Sequence, residues 1–159
     1  MSTDEGATDD LLLSEQACFA LYSASRAVTD VYRPLLAELG LTYPQYLVLL
    51  TLWESEPRTV RDVGAALALD YGTVSPLLKR LEGAGLVERR RDPRDERTVT
   101  VHLTDEGRAL RGRVAHVPRT IGCALGLDDR ARRDLIVLLR TITASTVAFR
   151  GVDGESSVG

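Results

Sequence analysis

The sequence predicts a mainly α-helical fold with one small β-hairpin, and three observations lead to this prediction. Apolar residues recur at steps of three and four over most of the chain, which is the spacing of amphipathic helices. Residues 98–103 instead alternate polar and apolar side chains strictly, as a half-buried strand does. They follow a turn-rich stretch at residues 91–95, so the two segments together predict a hairpin. A chain of 159 residues with a hydrophobic content of 44% suits one domain.

The first helix is predicted over residues 14–39. Its apolar stripe recurs at alternating steps of three and four, through Cys18, Leu21, Ser25, Val28, Tyr32, Leu35 and Leu39. A helix of about 25 residues is about 38 Å long, and helices of that length in small proteins usually pack against a partner subunit. Gly40 supplies a natural C-cap. Residues 1–12 are acidic and are predicted to form a disordered tail.

Two shorter helices are predicted next. The second helix covers residues 43–53, where Pro44 is tolerated in the first turn. The third begins with Thr59 as the candidate N-cap and Asp62 at the capping-box position. The segment Asp70-Tyr71-Gly72 ends the third helix.

Pro76 decides where the fourth helix begins. A proline inside a helix costs about 3 kcal/mol, but within the first turn its missing N–H is not needed. The helix is therefore predicted to begin close to Thr73 and to end at Gly85. The residues predicted to face the core are Leu77, Leu78, Leu81 and Leu86.

Two more helices are predicted after the hairpin. One is capped by Thr104, runs to about His116 and is interrupted by Pro118. The other runs over residues 128–149, with an apolar stripe along one face. Residues 151–159 are predicted to be a second disordered tail.

Composition argues against several classes of protein. No apolar run approaches the roughly 20 residues that span a bilayer, and the N-terminus lacks a basic region followed by an apolar core. We therefore expect a cytoplasmic protein without membrane contact. Two cysteines do not form a disulfide framework, and two histidines without a Cys-x-x-Cys pair predict neither a metal site nor a cofactor.

Charge is distributed unevenly along the chain. The net charge is −3, but residues 1–16 carry five acids and no base, whereas residues 58–97 carry nine bases against seven acids. The basic central segment is compatible with a nucleic-acid partner despite the acidic total. Arginines make up 19 of the 20 cationic residues, and arginine suits contacts to phosphates and base edges. Codon usage could produce the same bias.

The order of the elements is that of a winged helix-turn-helix. In such a unit the second helix of the pair enters the major groove of DNA, and the wing, tipped here by Arg90, Arg91 and Arg94, reaches phosphates or the minor groove. Long helices on both sides would form a homodimer, which reads a near-palindromic site in double-stranded DNA. The alternative is a solvated arginine cluster offset by neighbouring acids.

These elements set the expected domain organisation. A single domain covers residues 13–150, and the winged helix-turn-helix occupies residues 43–103 within it. Helices over residues 14–39 and 104–149 are the expected dimerisation elements.

Two segments resemble the MarR family of regulators. Asp92-Pro93-Arg94-Asp95-Glu96-Arg97 is similar to the wing signature of the family, and the run from Tyr71 to Glu82 resembles the recognition helix. More narrowly, the run from Cys18 to Arg26, with Tyr43-Pro44-Gln45-Tyr46 and Trp53-Glu54, resembles the organic hydroperoxide resistance regulators. The resemblance covers about residues 13–149 and implies a homodimeric transcriptional repressor, not an enzyme.

The candidate DNA contacts lie on the recognition helix and the wing. The recognition-helix candidates are Asp70, Thr73, Ser75, Lys79 and Arg80, and the wing candidates are Arg90, Arg94, Asp95 and Arg97. By the resemblance, Arg94 is the wing arginine, and Asp95 and Arg97 match a carboxylate–arginine pair that braces the wing. Two residues apart on a strand, Asp95 and Arg97 point to the same side. The alternative is an exposed ion pair worth under about 1 kcal/mol.

Cys18 is the candidate redox-sensing residue. Its place on the apolar stripe also fits an inert, buried core cysteine. If Ser14 caps the helix, Cys18 lies in the first turns, where the helix dipole favours a thiolate. Tyr22 lies one turn further on the same face and can offer a hydroxyl.

The resemblance implies the rest of this site. In the family, tyrosines matching Tyr32 and Tyr43 reach the sensing cysteine and, with Tyr22, would support its thiolate. The alternative is that all three tyrosines only pack in the interface, with their hydroxyls in water. Tyr32 follows Cys18 by 14 residues, which is about 21 Å along a helix, so Tyr32 and Tyr43 would come from the other subunit. Cys123 resembles the resolving cysteine of the two-cysteine type. An organic hydroperoxide, as inducer, would convert Cys18 to a sulfenic acid that condenses with Cys123 and releases DNA.

A DNA-free interaction module is one alternative, which the basic wing disfavours. Two further rival functions stay open. One is a MarR-type repressor gated by a small phenolic ligand, with inert cysteines. The other is a thiol peroxidase in which Cys18 turns over, although a peroxidase has no use for a recognition helix and a wing.

Overall fold

The structure, a computed structural model, describes residues 11–155, with side chains described for residues 11–95 and 97–150. A short 3₁₀ turn at Leu13–Glu15 precedes the first helix. The elements then follow in the order α1 (Ala17–Ala37), α2 (Tyr43–Glu54), β1 (Arg58–Thr59), α3 (Val60–Leu67), α4 (Tyr71–Gly83), β2 (Val87–Asp92), β3 (Asp95–Leu103), α5 (Asp105–Arg113), α6 (Val117–Leu125) and α7 (Asp129–Glu155). The predicted fold class, mainly helical with a small wing, is confirmed.

The chain divides into two compact units, one ending at Ile121 and the other beginning at Gly122. The first unit contains the elements from α1 to α5 and most of α6. The second contains the end of α6 and all of α7.

The core of the first unit is built around α2, α4 and the strands. α2 is apolar on most of its surface and buries Tyr46, Val48, Leu49 and Leu52. The predicted core residues of the fourth helix are confirmed, because Leu77, Leu78, Leu81 and Leu86 are all buried. Since the opposite face of α4 stays in solvent, this packing fixes which of its side chains can meet a partner.

The three strands form one antiparallel sheet in the order β1-β3-β2. In the hairpin Val87 pairs with Leu103 and Arg89 pairs with Val101, and the register shifts between Arg91 and Asp92 near the tip. β1 is not predicted from the sequence, in which only a break separates the second and third helices. A two-residue strand is too short to show alternation, and it forms because β3 offers a free edge.

Three helix starts differ from their predicted positions. α1 begins at Ala17 instead of residue 14, because the preceding residues form the 3₁₀ turn. α4 begins at Tyr71, two residues before the predicted start, because the Asp70 carboxylate caps it by accepting the Thr73 N–H at 2.8 Å. Pro76 therefore lies inside α4. The third is the start of α6, a helix that the sequence did not predict: the helix expected to run to about His116 ends at Arg113, and α6 begins at Val117 with Pro118 in its first turn.

The predicted tails fall partly outside the described residues. Residues 1–10 and 156–159 lie outside them, so the tail predictions there stay predictions. Residues 151–155 contradict the predicted tail, because α7 continues to Glu155. The segment contains no proline, and an existing helix propagates with one new hydrogen bond per residue. In the described part of the chain, no helix has the length and apolar character that crossing a membrane requires.

Candidate functional site

The exposed face of α4 carries most of the predicted recognition-helix residues. Thr73, Lys79 and Arg80 are exposed and Ser75 is half-buried, on the side opposite the buried leucines. Asp70 lies at the N-cap, where its carboxylate is engaged by the Thr73 N–H. The structure therefore gives Asp70 a capping role that the sequence analysis did not assign.

The wing is an arginine-rich hairpin formed by β2 and β3. Arg90, Arg94 and Arg97 are all exposed. Arg90 forms an ion pair with Glu88 on the same strand. At the tip, the backbone N–H of Arg94 donates to the Asp92 carboxylate at 2.8 Å.

Asp95 braces the wing differently from the expected carboxylate–arginine pair. Its carboxylate accepts the backbone N–H of Arg97 at 3.0 Å and the hydroxyl of Thr98 at 2.8 Å. No ion pair between the Asp95 carboxylate and the Arg97 guanidinium occurs among the described side chains. The short aspartate side chain favours the backbone amide two residues on, as in an Asx turn.

Arg89 ties the wing to the recognition helix, and sequence reasoning missed it. Its guanidinium donates to Glu82 of α4 at 2.7 and 3.0 Å, and its backbone N–H donates to the same carboxylate at 3.2 Å. The Arg89 side-chain hydrogen bonds are the main reason that the pKa of Glu82 is lowered. The arrangement fixes the angle between α4 and β2, which is what positions the exposed arginines relative to the helix. No periodicity in the sequence signals a pair seven residues apart.

Glu56 is a second missed residue and anchors the base of the wing. Its carboxylate accepts the Leu103 N–H at 2.7 Å and the Arg108 guanidinium at 2.8 and 3.3 Å. Burial acts to raise the pKa of Glu56, but these hydrogen bonds outweigh it and leave the pKa lowered. The end of α2, the end of β3 and the start of α5 thus meet at one carboxylate.

We expect Glu56→Gln to lower the free energy of unfolding by about 1–2 kcal/mol at neutral pH, because charge-assisted hydrogen bonds are weakened. A lowered pKa in the folded state means that the stabilisation is complete above the ordinary carboxyl pKa. It is lost as the pH falls through the lowered value. Urea unfolding of both proteins at several pH values should therefore show a difference that shrinks in acid. A difference that stays constant down to about pH 3 would contradict the role of the charge.

Cys18 is exposed and is the second residue of α1. The N-cap position is held by Gln16, and Ser14 lies in the preceding turn, so the predicted cap is wrong while the predicted place of Cys18 in the first turn is confirmed. Tyr22 is 58% exposed and its hydroxyl oxygen accepts a hydrogen bond from the Arg26 guanidinium at 3.3 Å. Arg26 also lies 5.6 Å from the centre of the Tyr22 ring.

Tyr32 and Tyr43 form a separate aromatic cluster. Their ring centroids are 4.5 Å apart, and Tyr32 lies 5.9 Å from the buried ring of Tyr46. The pKa of Tyr32 is raised to about 12, mainly by burial and to a smaller extent by the neighbouring phenols of Tyr43 and Tyr46. These hydroxyls are therefore protonated donors at neutral pH. The structure brings Tyr32 and Tyr43 together but leaves Cys18 at the other end of α1, about 21 Å away for 14 residues of helix.

Cys123 lies in α6, within the second unit, and is exposed as a free thiol. No group of His, Cys, Asp and Glu side chains suited to a metal ion occurs within the described residues.

Comparison with known proteins relates this geometry to a family. Residues 30–113 match the family model of the transcriptional regulator SarA/Rot. The HTH-type transcriptional regulator TtmR of Methylorubrum extorquens (strain PA1) is 50% identical over 131 residues, covering 82% of this chain and 67% of the relative. The organic hydroperoxide resistance transcriptional regulator of Bacillus subtilis (strain 168) is 47% identical over 131 residues, covering 82% of this chain and 87% of the relative.

The solved structures of AbfR, a protein of Staphylococcus epidermidis, are also similar. Reduced AbfR bound to DNA matches with a TM-score of 0.74 and 36% identity, covering 88% of this chain and 99% of AbfR. Overoxidised AbfR bound to DNA matches with a TM-score of 0.73 and 36% identity, covering 87% and 97%. The disulfide form matches with a TM-score of 0.59 and 35% identity, covering 90% and 94%.

These matches agree with the recognition-helix and wing motifs that the sequence contains and with the sheet order that the structure shows. Both the family model and the two relatives are transcriptional regulators. The chain belongs to the SarA/Rot family of MarR-like winged-helix transcriptional regulators.

Proposed function

We propose that this regulator is a homodimeric repressor that binds a near-palindromic operator when reduced and releases it when an organic hydroperoxide oxidises Cys18. The observation that carries the proposal is the exposed Cys18 thiol in the first turn of α1. Support comes from the 47% identity to an organic hydroperoxide resistance regulator and from AbfR, whose reduced form is solved bound to DNA and which also forms a disulfide.

DNA binding in this proposal uses the exposed face of α4 and the wing. α4 enters the major groove, where Thr73 and Ser75 in its first turns are placed for base edges. Lys79 and Arg80 face outward further along the helix and are placed for phosphates. Arg94 at the wing tip then meets the adjacent minor groove.

A second copy of the chain is the expected partner of α1 and α7. α7 leaves large apolar side chains in solvent, with Val137 63% and Phe149 70% exposed. α1 does the same at Phe19 and Leu21 near its N-terminus. A two-fold dimer would cover such faces and would present two copies of α4 to half-sites one helical turn, about 34 Å, apart.

The proposed sensing step is a two-electron oxidation of Cys18. The thiolate sulfur attacks the terminal oxygen of the hydroperoxide, the O–O bond breaks, and the leaving alkoxide takes a proton and departs as the alcohol. The resulting sulfenic acid condenses with the Cys123 thiol of the partner protomer, forming an S–S bond between the two chains and releasing water. A cellular thiol then returns two electrons and restores both thiols.

Tyrosines from both protomers would support the Cys18 thiolate. Tyr22 lies one turn from Cys18 on the same helix, so its hydroxyl comes from the same chain. Tyr32 and Tyr43 lie together at the far end of α1 and reach Cys18 only from the partner protomer. As protonated phenols they can donate hydrogen bonds to sulfur.

Oxidation releases DNA by changing the spacing of the two recognition helices. Both half-sites must be engaged at a fixed separation, so a disulfide that moves the dimerisation helices weakens both contacts together. A hundredfold loss of affinity requires only about 2.7 kcal/mol of differential binding.

The test measures binding of the reduced protein to its own upstream DNA by fluorescence anisotropy at one fixed salt concentration. The measurement is repeated after one equivalent of an organic hydroperoxide is added, and again after dithiothreitol. Binding, loss and recovery are expected. Binding that peroxide does not change would favour the alternative, a repressor gated by a small phenolic ligand with inert cysteines. Continuous consumption of peroxide with a reductant, far above one equivalent, would instead indicate a thiol peroxidase.

Cys123→Ser should still respond to the hydroperoxide but lose the covalent crosslink, because the Cys18 sulfenic acid forms without a resolving thiol. Non-reducing gels of the oxidised variant should show no crosslinked species, and mass spectrometry should show more Cys18 sulfinic acid than in the wild type. A crosslink that persists in this variant would contradict the role given to Cys123.

A further inference from the structure

A groove of about 450 Å³ lies between the recognition helix and the wing. It is lined by the start of α3, by the first residue of α4 and by β3, and its lining includes Arg61, Asp62, Tyr71 and Arg97. Tyr71 is 71% exposed, an unusual position for a large aromatic ring at the first turn of a helix that packs its other face into a core. None of the roles proposed above uses Arg61 or Tyr71.

The groove carries uncommitted positive charge. The guanidinium groups of Arg61 and Arg97 are exposed and form no hydrogen bond or ion pair with the described side chains. Asp62 is the lining carboxylate, and it is engaged at the start of α3, where it accepts the Thr59 N–H at 3.3 Å. Two arginines against one aspartate leave the groove with a net charge of +1. A solvent-filled groove with two free guanidinium groups is suited to a phosphodiester.

The position of the groove indicates which phosphodiester it meets, and this step rests on the proposed DNA binding. If α4 occupies the major groove and the wing occupies the adjacent minor groove, one sugar-phosphate strand separates the two. That strand must cross the protein surface between the start of α4 and β3. The groove lies at this crossing.

We propose that the groove is a DNA backbone site that holds the strand crossing between the major and minor grooves. Arg61 on one wall and Arg97 on the other contact phosphate oxygens, and the Tyr71 ring packs against the adjoining deoxyribose. The site contributes affinity without reading sequence, because phosphates carry no base information.

The test is the salt dependence of DNA binding by Arg61→Gln, measured by fluorescence anisotropy with the reduced full-length protein on its own upstream duplex and on an unrelated duplex. Each phosphate contact contributes about 0.9 to the slope of log K against log salt. A dimer that loses two symmetric contacts should therefore show a slope smaller by about 1.8. At about 0.1 M salt its affinity should fall by one to two orders of magnitude on both duplexes. Arg61→Lys keeps the charge and should keep the slope.

Arg113→Gln is the matched control, since it removes the same charge from an exposed position on α5, where Arg113 pairs with Glu106 at 3.7 Å. Its slope should equal that of the wild type. The melting temperatures of the Arg61 variants should be close to that of the wild type, because the exposed guanidinium forms no hydrogen bond or ion pair with the described side chains and acts on Asp62 only through its charge. An unchanged slope in Arg61→Gln, or a loss confined to the specific duplex, would overturn the backbone site and leave the proposed function standing. A wild-type protein that binds neither duplex would remove both.

Discussion

Cys18→Ser should bind operator DNA as tightly as the reduced wild type and should no longer respond to an organic hydroperoxide. Serine replaces one sulfur by oxygen at an exposed position in the first turn of α1, so no core contact is lost. The hydroxyl stays protonated at neutral pH and cannot be oxidised to a sulfenic acid. The expected effect is therefore the complete loss of the response to peroxide, which the proposed mechanism sets at about a hundredfold in affinity for the wild type.

The measurement is anisotropy on the same duplex with increasing peroxide, for the wild type, Cys18→Ser and Cys123→Ser. Comparing the three proteins separates sensing from crosslinking, because only Cys18→Ser should keep its DNA affinity when peroxide is added. Release of DNA from Cys18→Ser by peroxide would remove the sensing role and move the search to another oxidisable group. Failure of Cys18→Ser to bind DNA would show that the thiol itself is needed for the DNA-binding conformation.

Features encoded in neighbouring residues were predictable from the sequence. The pair Thr59 and Asp62 forms the expected capping box of α3, with the Asp62 N–H donating to the Thr59 hydroxyl at 3.0 Å. Gly40 adopts a positive φ of 69° just after α1, where it ends the helical conformation, although the C-cap residue itself is Glu38. The strict alternation of β3 and the leucines of α4 gave the correct buried faces. Each of these features is determined by a few residues that are close together in the sequence.

Features that depend on distant residues were not predictable. Glu56 contacts Leu103 and Arg108, 47 and 52 residues away, and no local pattern connects them. β1 exists only because β3 pairs with it. The start of α4 was also predicted incorrectly. Pro76 suggested a helix beginning near Thr73, but Asp70 caps a helix that begins at Tyr71 and includes Pro76 in its interior. For the thiol site, the sequence placed Cys18 in the first turn, but the tilted contact between the rings of Tyr32 and Tyr43 depends on the turn between α1 and α2, which the sequence did not define.

Gly107 of α5 lies close to the backbone of Leu86, next to the base of the wing. A Cβ atom at this position would lie 2.0 Å from the Leu86 carbonyl oxygen and 3.2 Å from the Leu103 side chain. The Gly107 carbonyl also accepts the Trp53 indole N–H at 2.9 Å. α5 therefore packs directly against the base of the wing only because residue 107 has no side chain.

Gly107→Ala should consequently lower the free energy of unfolding by about 3 kcal/mol, at the upper end of overpacking effects, since the obstacle is backbone and cannot rotate away. For a chain of this size the melting temperature should fall by about 6 to 12 °C at matched protein concentration. Gly112→Ala is the control in the same helix, because a Cβ there meets nothing within 4 Å. It should raise stability by up to about 1 kcal/mol through helix propensity. Equal melting temperatures for Gly107→Ala and the wild type would mean that α5 can move from the wing at little cost. In that case the contact from Leu86 to α5 could not transmit a change in the dimerisation helices to the DNA-binding surface.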